Sequence, residues 1–370
     1  MESPVLFERI ALTQGGELGR ITLNALATLN SLSLEMIDLI QAQIDAWRDD
    51  DSIKALFFDA TGDKAFSAGG DIQALYHDMK AHPGGPCPYC DAFFEREYRL
   101  DYLLRQYPKP TIAWGHGIVM GGGLGVLSAC QFRVGTETTR IAMPEITIGL
   151  FPDAGGTYTF AQMDPVWSHF IALTAANINA EDGRLTGMLT HLVPQAGKAA
   201  CLEAICALNV ADEHLGDAIA RCLTEAESSE GFAPSNLATH EALIRGAIEP
   251  ALASDEPIKA LSLAVQAWPE DRWLERARSS FLAGSPVTAE VILEQFKRAR
   301  HQSMAEMFRM ELNIATACSR LGEFTEGVRA LLIDKDGQPS WQFPLGEVPR
   351  VHVESHFTAA ASPHPLDDLC

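Results

Sequence analysis

A chain of 370 residues, of which 47% are apolar and 21% charged, can bury a large core, so general disorder is excluded. Its 49 acidic and 28 basic side chains give a formal net charge of −21, which repels both a nucleic-acid backbone and an anionic membrane. An anionic ligand must then be held by local donors, such as helix N-termini, rather than by a global basic field.

The opening MESPVLFERI has neither the basic and apolar regions of a secretory signal nor the Arg-rich pattern of a transit peptide. No run approaches the length needed to span a bilayer, and a soluble cytoplasmic protein is expected. Residues 6 to 24 predict a hairpin, because FERIALT and GRITLNAL flank the turn signal Gln14-Gly15-Gly16-Glu17. An amphipathic helix follows, with Ser33 as N-cap and Met36, Ile37, Ile40, Ile44 and Trp47 at helical spacing. A buried strand over Ala55 to Asp59 leads into the Gly-rich loop Phe66-Ser-Ala-Gly-Gly-Asp71, which opens another helix. Eight cysteines are scattered from Cys87 to Cys370, and an intracellular chain of this size keeps them reduced. The pair Cys87-Pro-Tyr-Cys90 has zinc-knuckle spacing, but no second CxxC or His pair completes four ligands, so no metal is expected.

The order strand, loop, helix recurs from Thr111, through Met120-Gly-Gly-Gly-Leu-Gly125 into the helical run VLSAC. A third strand, FRVGTETTRIAMPE, leads into Ile148-Gly-Leu-Phe-Pro-Asp153 and a helix beginning near Gly155. This alternation predicts an α/β architecture, with ligands placed where a loop opens a helix beside a strand end. From about residue 196 the pattern is almost wholly helical, for instance over Ala199 to Leu208 and Ala289 to Ala317, and the stretch after about Val351 is expected to be an irregular tail.

Two loops that each free backbone amides at a helix start, at Gly69-Gly70 and at Gly121-Gly122-Gly123, form an oxyanion hole if both point at one carbonyl oxygen. The same glycines also serve tight turns and close helix-on-strand packing. Neither loop fits GxGxxG, the only Gly-Lys, Gly197-Lys198, lacks the rest of a P-loop, and neither GxSxG nor HExxH occurs. Glu145 ends an apolar strand and Asp153 lies eight positions on, between Phe151-Pro152 and Ala-Gly-Gly. An acid among apolar neighbours has a raised pKa suited to proton transfer, although Asp153 equally fits a helix N-cap and Glu145 a solvated strand end. His116 and His191 are bases by type, with no partner visible in the sequence.

These residues resemble a known family. AFSAGGDI is similar to the first oxyanion-hole signature of the enoyl-CoA hydratase/isomerase (crotonase) superfamily, HGIVMGGGLGV to the second, and AMPEITIGLFPDAGGTYTF to the segment carrying the catalytic acid. The resemblance implies a crotonase-type ββα superhelix core with a coenzyme A thioester site over residues 1–200, a helical region over 201–350 and a tail over 351–370. It also implies that the amides of Gly70 and Gly122 hold the thioester carbonyl, with Ala68, Gly69, Asp71 and Ile72 forming the loop that binds CoA. Crotonases often form trimers through C-terminal helices, so a homo-oligomer is an expected partner, alongside the acyl-CoA substrate. Neither nucleic acid nor membrane is expected.

A typical hydratase of the superfamily has one glutamate on the helix after the triple glycine and another after the next strand. Here the first position is Gly125 and the second remains as Glu145. Asp153 stands where hydratases generally have glycine, and the pair Glu145 and Asp153 resembles the 3-hydroxyisobutyryl-CoA hydrolases. FFEREYRLDYLL is similar to a segment of that family whose acid, here Glu97, contacts substrate. SPVTAEVILEQFKRAR, MFRMELNIATAC and FTEGVRALLIDKDGQPSW resemble its helical C-terminal region. The implied activity is hydrolysis of a short branched 3-hydroxyacyl-CoA, as in valine catabolism. Glu145 and Asp153 are then catalytic, Glu97, Gly122, Glu145 and Asp153 bind substrate, and no cofactor is needed beyond the substrate's own coenzyme A. The alternatives are an enoyl-CoA hydratase or isomerase working through Glu145 alone, and a non-catalytic CoA-binding protein. The latter draws support from Asn24-Ala-Leu-Ala-Thr-Leu-Asn30, which lacks the basic residue that the superfamily usually places near the CoA phosphates.

Overall fold

The computed structural model describes residues 3–13, 15–208, 214–359 and 361–370. The expected hairpin forms from β1 (Val5–Ala11) and β2 (Glu17–Leu23), antiparallel with Val5 opposite Leu23 and Ala11 opposite Glu17. Gln14 of its turn lies outside the described residues. Ser33 caps the helix Leu34–Arg48, its Oγ accepting the Met36 N–H at 3.2 Å, and that helix buries the five apolar residues read from the spacing.

Among the described residues ten strands make two sheets. The other strands are β3 (Ile53–Ala60), β4 (Ala65–Ser67), β5 (Thr111–Gly115), β6 (Ile118–Met120), β7 (Phe132–Gly135), β8 (Arg140–Ala142), β9 (Ile178–Asn179) and β10 (His191–Leu192). The larger sheet runs β1-β2-β3-β5-β7-β10 and the smaller β4-β6-β8-β9. From β2 to β10 the larger sheet is parallel, and as in other parallel sheets both faces are buried. Phe57, Ile112, Trp114 and Val134 of one face pack with Cys201, Ile205, Ile219 and Leu223 of the helices Lys198–Cys206 and Leu215–Ala226. Leu56 and Phe58 are buried on the other face.

Residues 132–145, expected as one strand, divide between the two sheets as β7 and β8. Threonine hydroxyls make the break: Thr139 Oγ1 accepts the Thr136 N–H at 2.7 Å and donates to the Gly115 carbonyl at 2.5 Å, so the backbone turns without losing partners. Ala289 to Ala317 likewise divides into Pro286–Ala299 and Met304–Leu321, because Ser303 and Glu306 form a capping box that starts a new helix. Lys198 is committed to Asp59, 2.6 Å away, which also takes Arg20 at 2.8 Å and the Thr22 hydroxyl at 2.7 Å.

Contacts gather the chain into two units that run across its linear order. One comprises residues 1–70, 100–141 and 178–235, and contains the sheets; the other comprises 71–99, 142–177 and 236–370 and is mostly helical. Within the second, Arg320 holds Asp91 at 2.9 Å and the Cys87 thiol reaches the Ser319 carbonyl, which ties the Cys87-Pro-Tyr-Cys90 segment to the long helix Met304–Leu321. The tail, expected to be irregular, begins with the helix Arg350–Ser355 and ends docked. Leu366 and Leu369 are buried, Arg309 donates to the Leu369 carbonyl, and Arg99 pairs with Asp368 at 2.6 Å. Among the described residues no helix is long and apolar enough to cross a membrane.

Candidate active site

In the sheet-bearing unit, β4 and β6 are parallel neighbours, so the two Gly-rich loops leave the same end of one sheet. Gly69 has φ +104°, and a Cβ there would lie 3.3 Å from the Met120 carbonyl oxygen and 3.8 Å from Gly121 Cα, so the loops abut. The helix after the second loop begins at Gly122, earlier than the VLSAC run suggested, and spans Gly122–Ala129 with every residue buried. As its first residue, Gly122 has an N–H that no carbonyl of the preceding turn can take.

The first loop is held from residues 29 to 32. Ala68 N–H donates to the Leu29 carbonyl at 3.1 Å and Leu32 N–H to the Gly69 carbonyl at 2.7 Å, while Gly69 N–H donates to Ser67 Oγ at 3.3 Å. Asn30, buried and with φ +57°, donates to the Thr61 and Ala65 carbonyls, which fixes this support to β4. Of the loop residues read as CoA-binding, Ala68 thus spends its amide on the supporting segment at Leu29 and Gly69 spends its own inside the loop on Ser67. Asp71 caps the helix Ile72–Ala81, its Oδ1 accepting the Ala74 N–H at 3.2 Å, and Ile72 is the first residue of that helix.

Gly123 is where close packing, rather than turn geometry, demands glycine. A Cβ there would lie 2.5 Å from Ser67 Cβ and 2.7 Å from the Ser67 carbonyl. Gly123→Ala must push the helix start off β4; a loss of about 1 to 3 kcal/mol in denaturant unfolding is expected, with turnover falling too. Unchanged stability would show that the contact is not tight.

The acids belong to the mostly helical unit. Glu145 opens the 3-10 turn Glu145–Ile148 and is 4% exposed, so it is not a solvated strand end. Its Oε2 has no hydrogen-bond partner among the described residues. Two glycines let backbone pack directly on this turn: a Cβ on Gly149 would meet the Glu323 carbonyl at 2.4 Å, and one on Gly327 the Ile148 carbonyl carbon at 2.4 Å.

Asp153 is also 4% exposed, and it is not the helix cap. That place is taken by Gly155, before the helix Gly156–Ala161, while the Asp153 carboxylate accepts the Tyr98 hydroxyl at 2.7 Å. The next two residues, Ala154 and Gly155, have φ +53° and +75°, an arrangement unfavourable for alanine. Side chains from distant helices hold it in place. Glu311 accepts the Gly155 N–H at 2.8 Å on one oxygen and the Thr157 N–H at 2.7 Å on the other. Gln295 Nε2 donates to the Pro152 carbonyl at 2.9 Å and to Thr157 Oγ1 at 2.7 Å.

Charge in this cluster is costly. Burial pushes the Glu145 carboxyl well above the usual carboxylate range, and the charge of Asp153 pushes it further. Burial also raises Asp153, to about 7, against the pull of the Tyr98 hydroxyl. Burial raises Glu311 to about 7 despite its hydrogen bonds with Thr157 and Gly155. Tyr98 is held far above its ordinary value by burial and then by the charges of Asp153, Glu311 and Glu97, so its phenol stays a donor. Glu97, its neighbour on the helix Pro88–Arg105, is 3% exposed. Acids poised near neutrality and kept from solvent can hold and pass protons.

The other sequence candidates have local duties. His116 is buried with its Nε2 2.7 Å from the Gly62 carbonyl, and His191 sets Nδ1 2.9 Å from Thr190 Oγ1. Burial lowers both imidazoles. The Cys87 and Cys90 thiols are buried against backbone carbonyls, and burial raises both.

Tyr98, Gln295 and Glu311 were not singled out by sequence reading. The sequence does carry a signal for Glu311, which sits among Met307, Phe308, Ile314, Ala315 and Cys318 on the buried face of a long helix, where a charge needs a partner.

The enoyl-CoA hydratase/isomerase family profile matches residues 18–357. The chain is 35% identical over 353 residues to the 3-hydroxyisobutyryl-CoA hydrolase, mitochondrial, of Gallus gallus, covering 94% of this chain and 88% of that protein. It is 33% identical over 359 residues to the protein of the same name from Homo sapiens, with 96% and 90% covered. Among solved structures it is similar to a carnitinyl-CoA dehydratase from Mycobacterium thermoresistibile, with a TM-score of 0.84, 30% identity and 98% of each chain covered. With the family profile spanning nearly the whole chain and full-length relatives above 30% identity, the protein belongs to the enoyl-CoA hydratase/isomerase (crotonase) family.

Proposed function

We propose that this protein hydrolyses an acyl-CoA thioester, 3-hydroxyisobutyryl-CoA above others, to the free 3-hydroxy acid and coenzyme A. The observation that carries the reading is the buried pair Glu145 and Asp153, with Gly125 where a hydratase has its other glutamate. The relatives named as 3-hydroxyisobutyryl-CoA hydrolases support the acyl group.

Thioester hydrolysis requires a stabilised oxyanion, an attacking oxygen and a proton for the departing thiolate. The amides of Gly70 and Gly122 take the first duty, worth roughly 3 to 4 kcal/mol per donor in comparable sites. Glu145 attacks as nucleophile, through a mixed anhydride, or activates a water, and Asp153 handles the proton of the thiolate. Glu97 binds the substrate's 3-hydroxyl, and the loop at Ala68, Gly69, Asp71 and Ile72 receives the coenzyme. The reading calls for no cofactor, since water and the acids account for every bond made and broken. A reducing compartment, the cytoplasm, suits a chain whose eight cysteines form no disulfide among the described residues.

A panel of acyl-CoA thioesters with detection of free thiol tests the acyl assignment. Short branched 3-hydroxyacyl groups are expected to turn over fastest by kcat/KM. Equal rates on straight-chain acyl groups without a hydroxyl would contradict the role of Glu97.

A further inference from the structure

The Tyr98–Asp153 contact is a fully buried phenol donating at 2.7 Å to a buried carboxyl. Such a bond is strongest when its acceptor is charged. In the proposed reaction Asp153 acquires that charge at one step. The two carboxyls share one proton, and in the form that reacts Glu145 is the carboxylate and Asp153 the acid: as Glu145 attacks the acyl carbon, the C–S bond breaks with its electron pair going to sulfur, and the Asp153 carboxyl proton passes to the thiolate. Asp153 is then a carboxylate. Water next attacks the anhydride carbonyl and releases the acid and the Glu145 carboxylate, and the water's proton returns to Asp153. Nothing else is consumed.

Resting on that hydrolase reading, we propose that Tyr98 is a positioning residue whose O–H braces the carboxylate Asp153 becomes as it protonates the departing coenzyme A thiolate. Three features carry this. Tyr98 directs its hydroxyl to the Asp153 side chain rather than to backbone. Glu145, the other acid of the pair, has an oxygen without a partner among the described residues, so the support is one-sided. The backbone after Asp153 is clamped by Glu311 and Gln295, which keeps the carboxyl from swinging away from the phenol.

The groups facing this bond are Glu97, on the same helix as Tyr98, Glu145 from the 3-10 turn, and Glu311 and Cys318 from the helix Met304–Leu321. They are acids or a thiol, and none supplies a positive charge to Asp153. Tyr98 is thus the side chain among them that draws Asp153 toward ionisation at neutral pH. Without it Asp153 becomes a weaker acid and holds its proton to higher pH.

The experiment is a leaving-group comparison on the full chain. Tyr98→Phe keeps the ring and removes the hydroxyl. On the CoA thioester kcat is expected to fall roughly 10- to 100-fold with KM little changed, the value of a hydrogen bond to a charged group. The alkaline limb of the kcat profile is expected to move up by about one pH unit. On the same acyl group esterified to an acidic aryl thiol, whose thiolate leaves without a proton, variant and parent should run at nearly equal rates. A purely structural role slows both esters alike, and that result overturns the proposal, as does an unchanged rate on both. A parent enzyme that cleaves neither ester overturns the hydrolase reading itself. Should Tyr98→Phe not fold, a fluorinated tyrosine at this position keeps the shape with a stronger donor. The alkaline limb should then move down, and an unmoved profile overturns the proposal.

Discussion

Glu145→Gln is expected to lower kcat for thioester cleavage about 10³-fold or more while the folded protein melts at the same or a higher temperature. Glutamine keeps the shape of the side chain but can neither attack the acyl carbon nor take a proton from water. The stability side of the prediction follows from burial. Glu145 is an almost fully enclosed acid, with one oxygen unpartnered among the described residues and a second acid beside it, and its raised pKa means that folding at neutral pH must either take up a proton or bury the charge, a cost that fades as pH falls toward the ordinary carboxylate range. A neutral amide removes both the desolvation and the repulsion from Asp153. Loss of function with gained stability marks a residue retained for chemistry. The assay is thiol release beside a thermal melt, and an active Glu145→Gln protein would remove Glu145 from the mechanism.

Glu311→Ala is expected to cost about 3 to 5 kcal/mol and to slow turnover by about 10²-fold in the protein that remains folded. The carboxylate accepts two backbone N–H groups, of Gly155 and Thr157, and both buried donors lose this acceptor when it goes. Each such loss costs about 1 to 3 kcal/mol, and a cavity adds to this. The left-handed pair Ala154 and Gly155 would relax without that clamp, carrying Asp153 with it. Denaturant unfolding and kcat measured well below the melt separate the two effects. Parental stability in Glu311→Ala would mean that the loop holds its shape unaided.

The parts of the protein that sequence could reveal are those decided locally. The helix after Ser33, the hairpin and the strand of Ala55 to Asp59 follow from apolar spacing and a cap within a few residues of one another. The two Gly-rich loops were legible for the same reason, whereas Glu145 and Asp153 stood out as a pair only through the family resemblance, since their spacing alone fits a strand end and a helix cap equally well. The division of residues 132–145 between two sheets was not, because it turns on threonine hydroxyls whose partner at Gly115 lies 24 residues away. The environment of Asp153 was hidden still further. Its backbone is fixed by Gln295, 143 residues from Pro152, and by Glu311, 156 residues from Gly155. Only an acid and an amide on otherwise apolar helix faces hinted that these helices brace a distant loop.

The decisive measurement incubates the protein in parallel with 3-hydroxyisobutyryl-CoA and with crotonyl-CoA, following free thiol and loss of the enoyl double bond together. One thiol and one hydroxy acid are expected per 3-hydroxyisobutyryl-CoA, with crotonyl-CoA left unhydrated because Gly125 offers no second carboxylate. Hydration of crotonyl-CoA with no thiol released from either substrate would contradict the hydrolase reading.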